Sequence, residues 1–205
     1  MSTESVAQSK TTRVTKALDE LRKLFGILSD DMLECLKLTG RSPEFIRRMY
    51  TRSVFALVEG TLFRMKQTVI EASNLYGIKL SKQEAALLSE ESFELNDKGE
   101  PISKTQYVQL PKNLKFAFGS MAKVFDAEYD LKINDNGWAT FLAAIRIRNR
   151  ITHPKQVQDI VISDKEMDVL GKATLWFADS VLILLQAANT SVRNKNSLSK
   201  EQAES

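Results

Sequence analysis

A single histidine, His153, and a single cysteine, Cys35, stand in a chain of 205 residues. With one thiol, no disulfide can form within the chain and no cysteine-based zinc site is possible, so a reducing compartment is expected. Cys35 lies among Met32, Leu33, Leu36 and Leu38 and is read as a packing residue. With one imidazole, histidine metal clusters and a Ser-His-Asp arrangement are largely excluded, and no Gly-rich phosphate loop occurs. The polar loop from Asp130 to Gly137 carries no EF-hand spacing. Neither metal nor cofactor is expected. Long apolar runs are missing too. The longest, Leu175 to Ala188, is interrupted by Asp179 and falls short of the ~20 residues that span a bilayer, so no membrane partner is expected. The opening Met1-Ser2-Thr3-Glu4-Ser5 has no basic region leading into an apolar one, which argues against a secretory signal and for a cytoplasmic protein.

What is present is the balance of a globular domain, with hydrophobic residues at 43% and charged residues at 27%. The organisation expected is a polar, disordered lead-in over residues 1–10, one α-helical domain over 11–192, and a disordered tail over 193–205. Apolar residues at helical spacing predict a first helix from Thr12 to Leu28 and a short second one from Asp31 to Leu38, capped by Ser29 or Asp30. Ser42-Pro43-Glu44 opens a long helix to about Tyr76, stopped by Gly77. Ser81 and Glu84 form a capping box for a helix over 81–91. A small hairpin or ordered loop follows, with Phe93 and Leu95 alternating before the Asn96-Asp97-Lys98-Gly99 turn and Tyr107 to Leu110 alternating after it. Pro111 opens a helix over 112–129, and another runs from about Asn136 to His153. An extended connector carrying Val157, Ile160, Val161 and Ile162 leads to a last helix, boxed by Ser163 and Glu166 and reaching about Ser191.

Charge is unevenly spread. Arg41, Arg47, Arg48, Arg52, Arg64 and Lys66 face only Glu44 and Glu59 between positions 41 and 66. Arg146, Arg148, Arg150 and Lys155 form a second basic group, whereas Glu84, Glu90, Glu91, Glu94, Asp97 and Glu100 make the hairpin region acidic. Such a layout suits a polyanion on one side and solvent or a basic partner on the other. Ordinary solvated faces would read the same way.

The basic run Arg146-Ile147-Arg148-Asn149-Arg150-Ile151-Thr152-His153-Pro154 ends the helix that carries Trp138, Phe141, Leu142 and Ile145. Asn149 and His153 stand four apart on one face, and Arg148 is rotated from His153 by about 140°, a gap that a long guanidinium side chain spans. A cation, a polar orienting group and an imidazole suit attack on a phosphodiester, where proton transfer and charge stabilisation act at one phosphorus. RNA supplies its own nucleophile in the 2′-hydroxyl.

Arg148-Asn149-x-x-x-His153 resembles the R-x4-6-H signature of the HEPN superfamily, in which a polar residue, often Asn, directly follows the Arg. The resemblance implies an α-helical bundle, two protomers pairing around one cleft, and in many members a metal-independent endoribonuclease of toxin–antitoxin, abortive-infection or CRISPR systems. It also implies an antitoxin or nucleotidyltransferase partner. On that analogy His153 is general acid or base, Arg148 stabilises the phosphorane and Asn149 orients the site. Arg146, Arg150 and Lys155 are placed for RNA backbone or surface roles. Arg48, Arg52, Phe55 and Glu59 fall on one stripe of the long helix, which lines the same cleft or forms a structural charge network. The wide apolar arc from Val169 to Leu185, with Leu182 and Leu185 outward, is expected to pair two protomers. Two other readings stay open. A catalytically silent HEPN-like module would bind nucleic acid or protein, and a helical interaction protein would carry the arginines and histidine only because a helix C-terminus favours cations.

Overall fold

A computed structural model describes the backbone of residues 3–105 and 107–201 and the side chains of residues 12–105, 107–195 and 197. The chain is an all-α helical bundle with one small hairpin inserted. Its elements are α1 (Thr3–Leu36), α2 (Pro43–Tyr76), α3 (Lys82–Ser89), β1 (Glu91–Leu95), β2 (Pro101–Thr105), α4 (Leu110–Phe125), α5 (Asn136–Thr152), a 3-10 turn (Val157–Ile160) and α6 (Asp164–Glu201). No described helix is long and apolar enough to cross a membrane.

Helix starts follow the local capping chemistry. The Phe45 amide donates to Ser42 Oγ at 3.2 Å ahead of Pro43. Ser81 and Glu84 exchange both bonds of a capping box, and so do Ser163 and Glu166. Asp135 accepts from the Trp138 amide at 2.7 Å and starts α5. The end of α2 is equally local: Gly77 takes a φ of 70°, and the Ile78 amide reaches back to the Ser73 carbonyl at 2.9 Å.

Several boundaries differ from expectation. The break at Ser29-Asp30 is absent, because Ser29 Oγ donates to the Phe25 carbonyl of its own helix at 2.7 Å instead of capping a new one. No proline or glycine lies within 3–10 or 193–201, and a helix once nucleated propagates at little cost. Both segments are accordingly helical, while residues 1–2 and 202–205 of the expected lead-in and tail lie outside the described residues. The second strand is 101–105 rather than 107–110, since the Asn96 turn closes on itself and pairs Leu95 with Pro101. Helix α4 stops at Phe125, four residues early, where Asp126 adopts a φ of 54° and the Ala127 amide bonds the Ala122 carbonyl. The connector after Pro154 is tightened by the 3-10 turn, leaving Val157 and Val161 exposed and only Ile162 fully buried.

Packing divides the residues into two compact units, each built from discontinuous segments. The first comprises Met1–Leu21, Leu62–Tyr129 and Leu184–Ser205. Its core includes Leu18, Leu62, Met65, Leu114, Phe118, Met121 and Ala188, all at 1% exposure or less. Lys66 is buried there as well, bonded to the Glu90 carboxylate and to Asn113 Oδ1 at 3.0 Å. A buried ammonium is tolerable only with such partners.

The second unit comprises Arg22–Thr61 and Asp130–Ile183. Trp138, Phe141, Trp176 and Phe177 form an aromatic cluster, with the Phe141 ring 5.3 Å from Trp176 and 6.1 Å from Phe177. Gly137 makes this possible, because a Cβ there would lie 2.0 Å from Trp176 Cδ1. This cluster seats α5 and hence the basic run at its far end.

Candidate functional site

Every residue singled out in the basic run belongs to the second unit, as do Arg48, Arg52, Phe55 and Glu59. Phe141, Ala144, Ile145, Ile147 and Ile151 are buried along α5, and Arg148 sits one turn from Ala144 on the flank of that stripe. Its side chain is therefore only 23% exposed. Nη2 donates to Glu59 Oε1 at 2.5 Å, Nη1 to Asn149 Oδ1 at 3.1 Å, and the guanidinium lies 5.8 Å from the Phe55 ring centroid. The exposed ion pair is worth only ~0.2–1 kcal/mol and the ring contact about as much, so they orient the cation more than they stabilise the fold. A guanidinium carries five N–H donors. Two are engaged, and no other bond from Arg148 is made to a described residue.

His153 caps α5 directly after its last residue, Thr152, its amide bonded to the Asn149 carbonyl at 3.1 Å. Its side chain is exposed, and no described residue hydrogen-bonds the imidazole. Arg148 thus touches Glu59, Phe55 and Asn149, and the His153 imidazole has no hydrogen-bond partner among the described residues at the end of the same helix.

Arg150 has a different place from the one expected of it. Its Nη1 donates to the Gln158, Asp159 and Val161 carbonyls at 3.3, 3.0 and 2.8 Å, and Nη2 donates to Glu166 Oε1 at 2.5 Å. It is committed to the chain that follows, not to an open basic surface. Arg47, which sequence reasoning used only as a charge, does the same work from α2, donating to the Ile162 carbonyl at 2.7 Å and to Asp164 Oδ1 at 2.5 Å. The reason is general: residues 153–163 run without a strand or α-helix to satisfy their carbonyls, and side-chain donors take over. A capping box placed directly after a connector with no ladder partner was the available signal.

The carboxylates of this segment are tuned to match. The Lys155 amide holds the Asp159 carboxyl below its ordinary value despite partial desolvation, with the Gln156 amide adding to it. Burial alone would raise Glu166, but the Ser163 amide and hydroxyl and the Arg150 guanidinium outweigh it and leave the carboxyl lowered.

Arg52, Arg146 and Lys155 are exposed and Arg48 is half-buried, and none of their side chains forms an ion pair with a described residue. The basic stretch from 41 to 66 is less open than its charge suggests. Besides Arg47, Arg64 is paired with Glu20 and Glu71, and Lys66 is buried. Among the described residues no three His, Cys, Asp or Glu side chains gather as metal ligands. Comparison with protein-family models, with curated proteins and with solved structures finds no match, so the HEPN resemblance rests on the Arg148 to His153 segment and its helical setting.

Proposed function

We propose that the chain is an endoribonuclease of the HEPN kind, acting as a toxin or defence effector, in which His153 transfers protons and Arg148 stabilises charge during attack of a ribose 2′-hydroxyl on the adjacent phosphorus. The observation that carries this reading is the state of the two side chains. Arg148 is oriented by Glu59, Asn149 and Phe55 with donors uncommitted among the described residues, and the imidazole of His153 is exposed and unbonded at the end of the same helix. In the reaction a base takes the 2′-hydroxyl proton, the new P–O bond closes a 2′,3′-cyclic phosphate, and the 5′-oxygen leaves with a proton from an acid. Arg148 bears on the phosphorane oxygens. Arg48, Arg52, Arg146 and Lys155 supply phosphate contacts, which dominate affinity for RNA.

One protomer holds one imidazole, yet the reaction needs one proton taken and one given. A two-fold dimer sharing the cleft supplies the second His153. Leu175, Leu182 and Ile183, at 66%, 52% and 57% exposure on α6, offer the apolar contact. Leu185, expected to face outward with Leu182, is buried at 1% exposure, so the variant that tests pairing is Leu175→Glu with Leu182→Glu. Loss of the dimer should abolish cleavage at unchanged helicity.

The second reading, a binding module without catalysis, is favoured by the Glu59 carboxylate that already occupies part of Arg148. One experiment separates the two. Purified protein is incubated with single-stranded RNA in EDTA beside His153→Ala. Cleavage by the parent, lost in the variant while RNA affinity is kept, supports the enzyme. Binding without cleavage by either supports the module.

A further inference from the structure

Among the described residues the hairpin of the first unit is hydrogen-bonded at its base, through Glu90, and within its own ladder and turn. Glu90, at the end of α3, carries a φ of 58° and bonds the buried Lys66, and beyond it β1 and β2 pair from Glu91 with Thr105 to Leu95 with Pro101. The Asn96 amide bonds the Glu100 carbonyl at 3.0 Å, which sets the alternation of the ladder. By that alternation Ser92 and Glu94 turn their backbone groups toward β2, and Glu91, Phe93 and Leu95 turn theirs outward. No hydrogen bond from outside the hairpin reaches β1 among the described residues.

The two edges are not equivalent. On β2 the outward positions begin with Pro101, which has no amide hydrogen, and proline is a common device for blunting an edge. On β1 all three outward positions keep their N–H. Their side chains are also unsatisfied: Phe93 and Leu95 share one face at 66% and 70% exposure, with Glu91 beside them. Lys104 pairs with Glu94 on the opposite face, but Glu91 has no cation partner among the described residues, and the turn carries Asp97 and Glu100 against Lys98, which leaves the hairpin net acidic.

We infer that β1 is a docking edge for an extended, basic segment of a partner protein, which adds as a third strand. The partner's backbone bonds Phe93 and Leu95, its apolar side chains cover theirs, a lysine or arginine on that same face meets Glu91, and those of the opposite face lie beside the Glu94–Lys104 pair. A nucleic acid is repelled by the same carboxylates. A second copy of β1 would bring Glu91 and Glu94 against like charges, which directly opposed strands avoid.

The test uses the full chain labelled with nitrogen-15 and a capped probe peptide, Val-Lys-Val-Lys-Lys, whose two valines and last lysine share the face that meets Leu95, Phe93 and Glu91 in an antiparallel pairing. Addition should shift the Phe93 and Leu95 amide resonances and slow their hydrogen exchange. Two control peptides, one with glutamate in place of lysine and one with N-methylated valines, should each bind about tenfold more weakly or worse. Phe93→Pro removes an outward N–H without touching the ladder and should weaken binding similarly. Glu91→Lys, which leaves the strand intact, should weaken it even if the proline variant misfolds. Unmoved amides in β1, equal binding of the glutamate peptide, or unchanged binding by Glu91→Lys would overturn the inference. So would concentration-dependent self-association through β1 without peptide.

Discussion

Two of the non-helical stretches among the described residues, 91–105 and 153–163, solve the same problem in opposite ways. Between the strands of the hairpin the backbone satisfies itself, and the side chains of Phe93, Leu95 and Glu91 are left exposed. In the segment after α5 the backbone has only the short 3-10 turn in which to pair with itself, so side chains are consumed: Arg150 and Arg47 cap four carbonyls between Gln158 and Ile162, and Asp159 caps two amides. The difference bears on function. The hairpin is built to meet something else, while the second segment is built to stay where it is and fix the end of α5 that carries His153.

The largest effect expected lies at the fixed segment. His153→Ala should lower RNA cleavage by about a thousandfold, roughly 4 kcal/mol of barrier, and change stability by less than about 1 kcal/mol because the side chain is exposed. Cleavage rate beside thermal unfolding reads both. A variant that cuts at parental rate would reduce the segment to a helix cap.

The next effect is at the hairpin base. Glu90→Ala leaves the Lys66 ammonium buried with Asn113 alone and should cost about 3–5 kcal/mol. Glu90→Gly removes the same carboxylate but relieves a left-handed residue, so it should cost about 1 kcal/mol less. Denaturant titration of the pair measures the strain separately from the charge.

Arg150→Ala should cost about 2 kcal/mol and speed amide exchange across 155–162, with Phe93 and Leu95 unchanged. Equal exchange in parent and variant would mean that Arg47 and the capping box suffice to hold the segment.

The smallest effect is a pH dependence at the helix leading into the hairpin. The Lys123 ammonium, then the Ser81 amide and hydroxyl, pull the Glu84 carboxyl from 4.5 to about 2. A carboxylate lowered by folding stabilises fully above its ordinary value and loses that contribution as pH falls through the folded one. The melting-temperature gap between the parent and Glu84→Gln should therefore narrow as pH drops from about 4.5 to about 2.

Legibility in the sequence followed the range of the interaction. Ser42, Ser81, Ser163 and Gly77 were readable because their partners lie within five residues. Ser29 was misread for a related reason: the same hydroxyl that caps a helix also bonds back four residues, and nothing local decides between them. The pairing of β1 was misplaced because alternation marks a strand but the turn sets its register. At the site, the stripe through Phe55 and Glu59 was visible as a periodicity, but its contact with Arg148 spans 89 positions and belongs to packing. Arg150 was taken for a free cation because a carbonyl partner leaves no trace in residue type.

The central claim is that the end of α5 directs a 2′-hydroxyl onto phosphorus. The most direct measurement compares two oligonucleotides of one sequence in EDTA, one with ribose throughout and one with 2′-deoxyribose, and analyses the product ends. Only the ribose strand should be cut, leaving 2′,3′-cyclic phosphate or 3′-phosphate ends, in a reaction that His153→Ala slows by about a thousandfold. Cleavage of the deoxy strand at a comparable rate would contradict it.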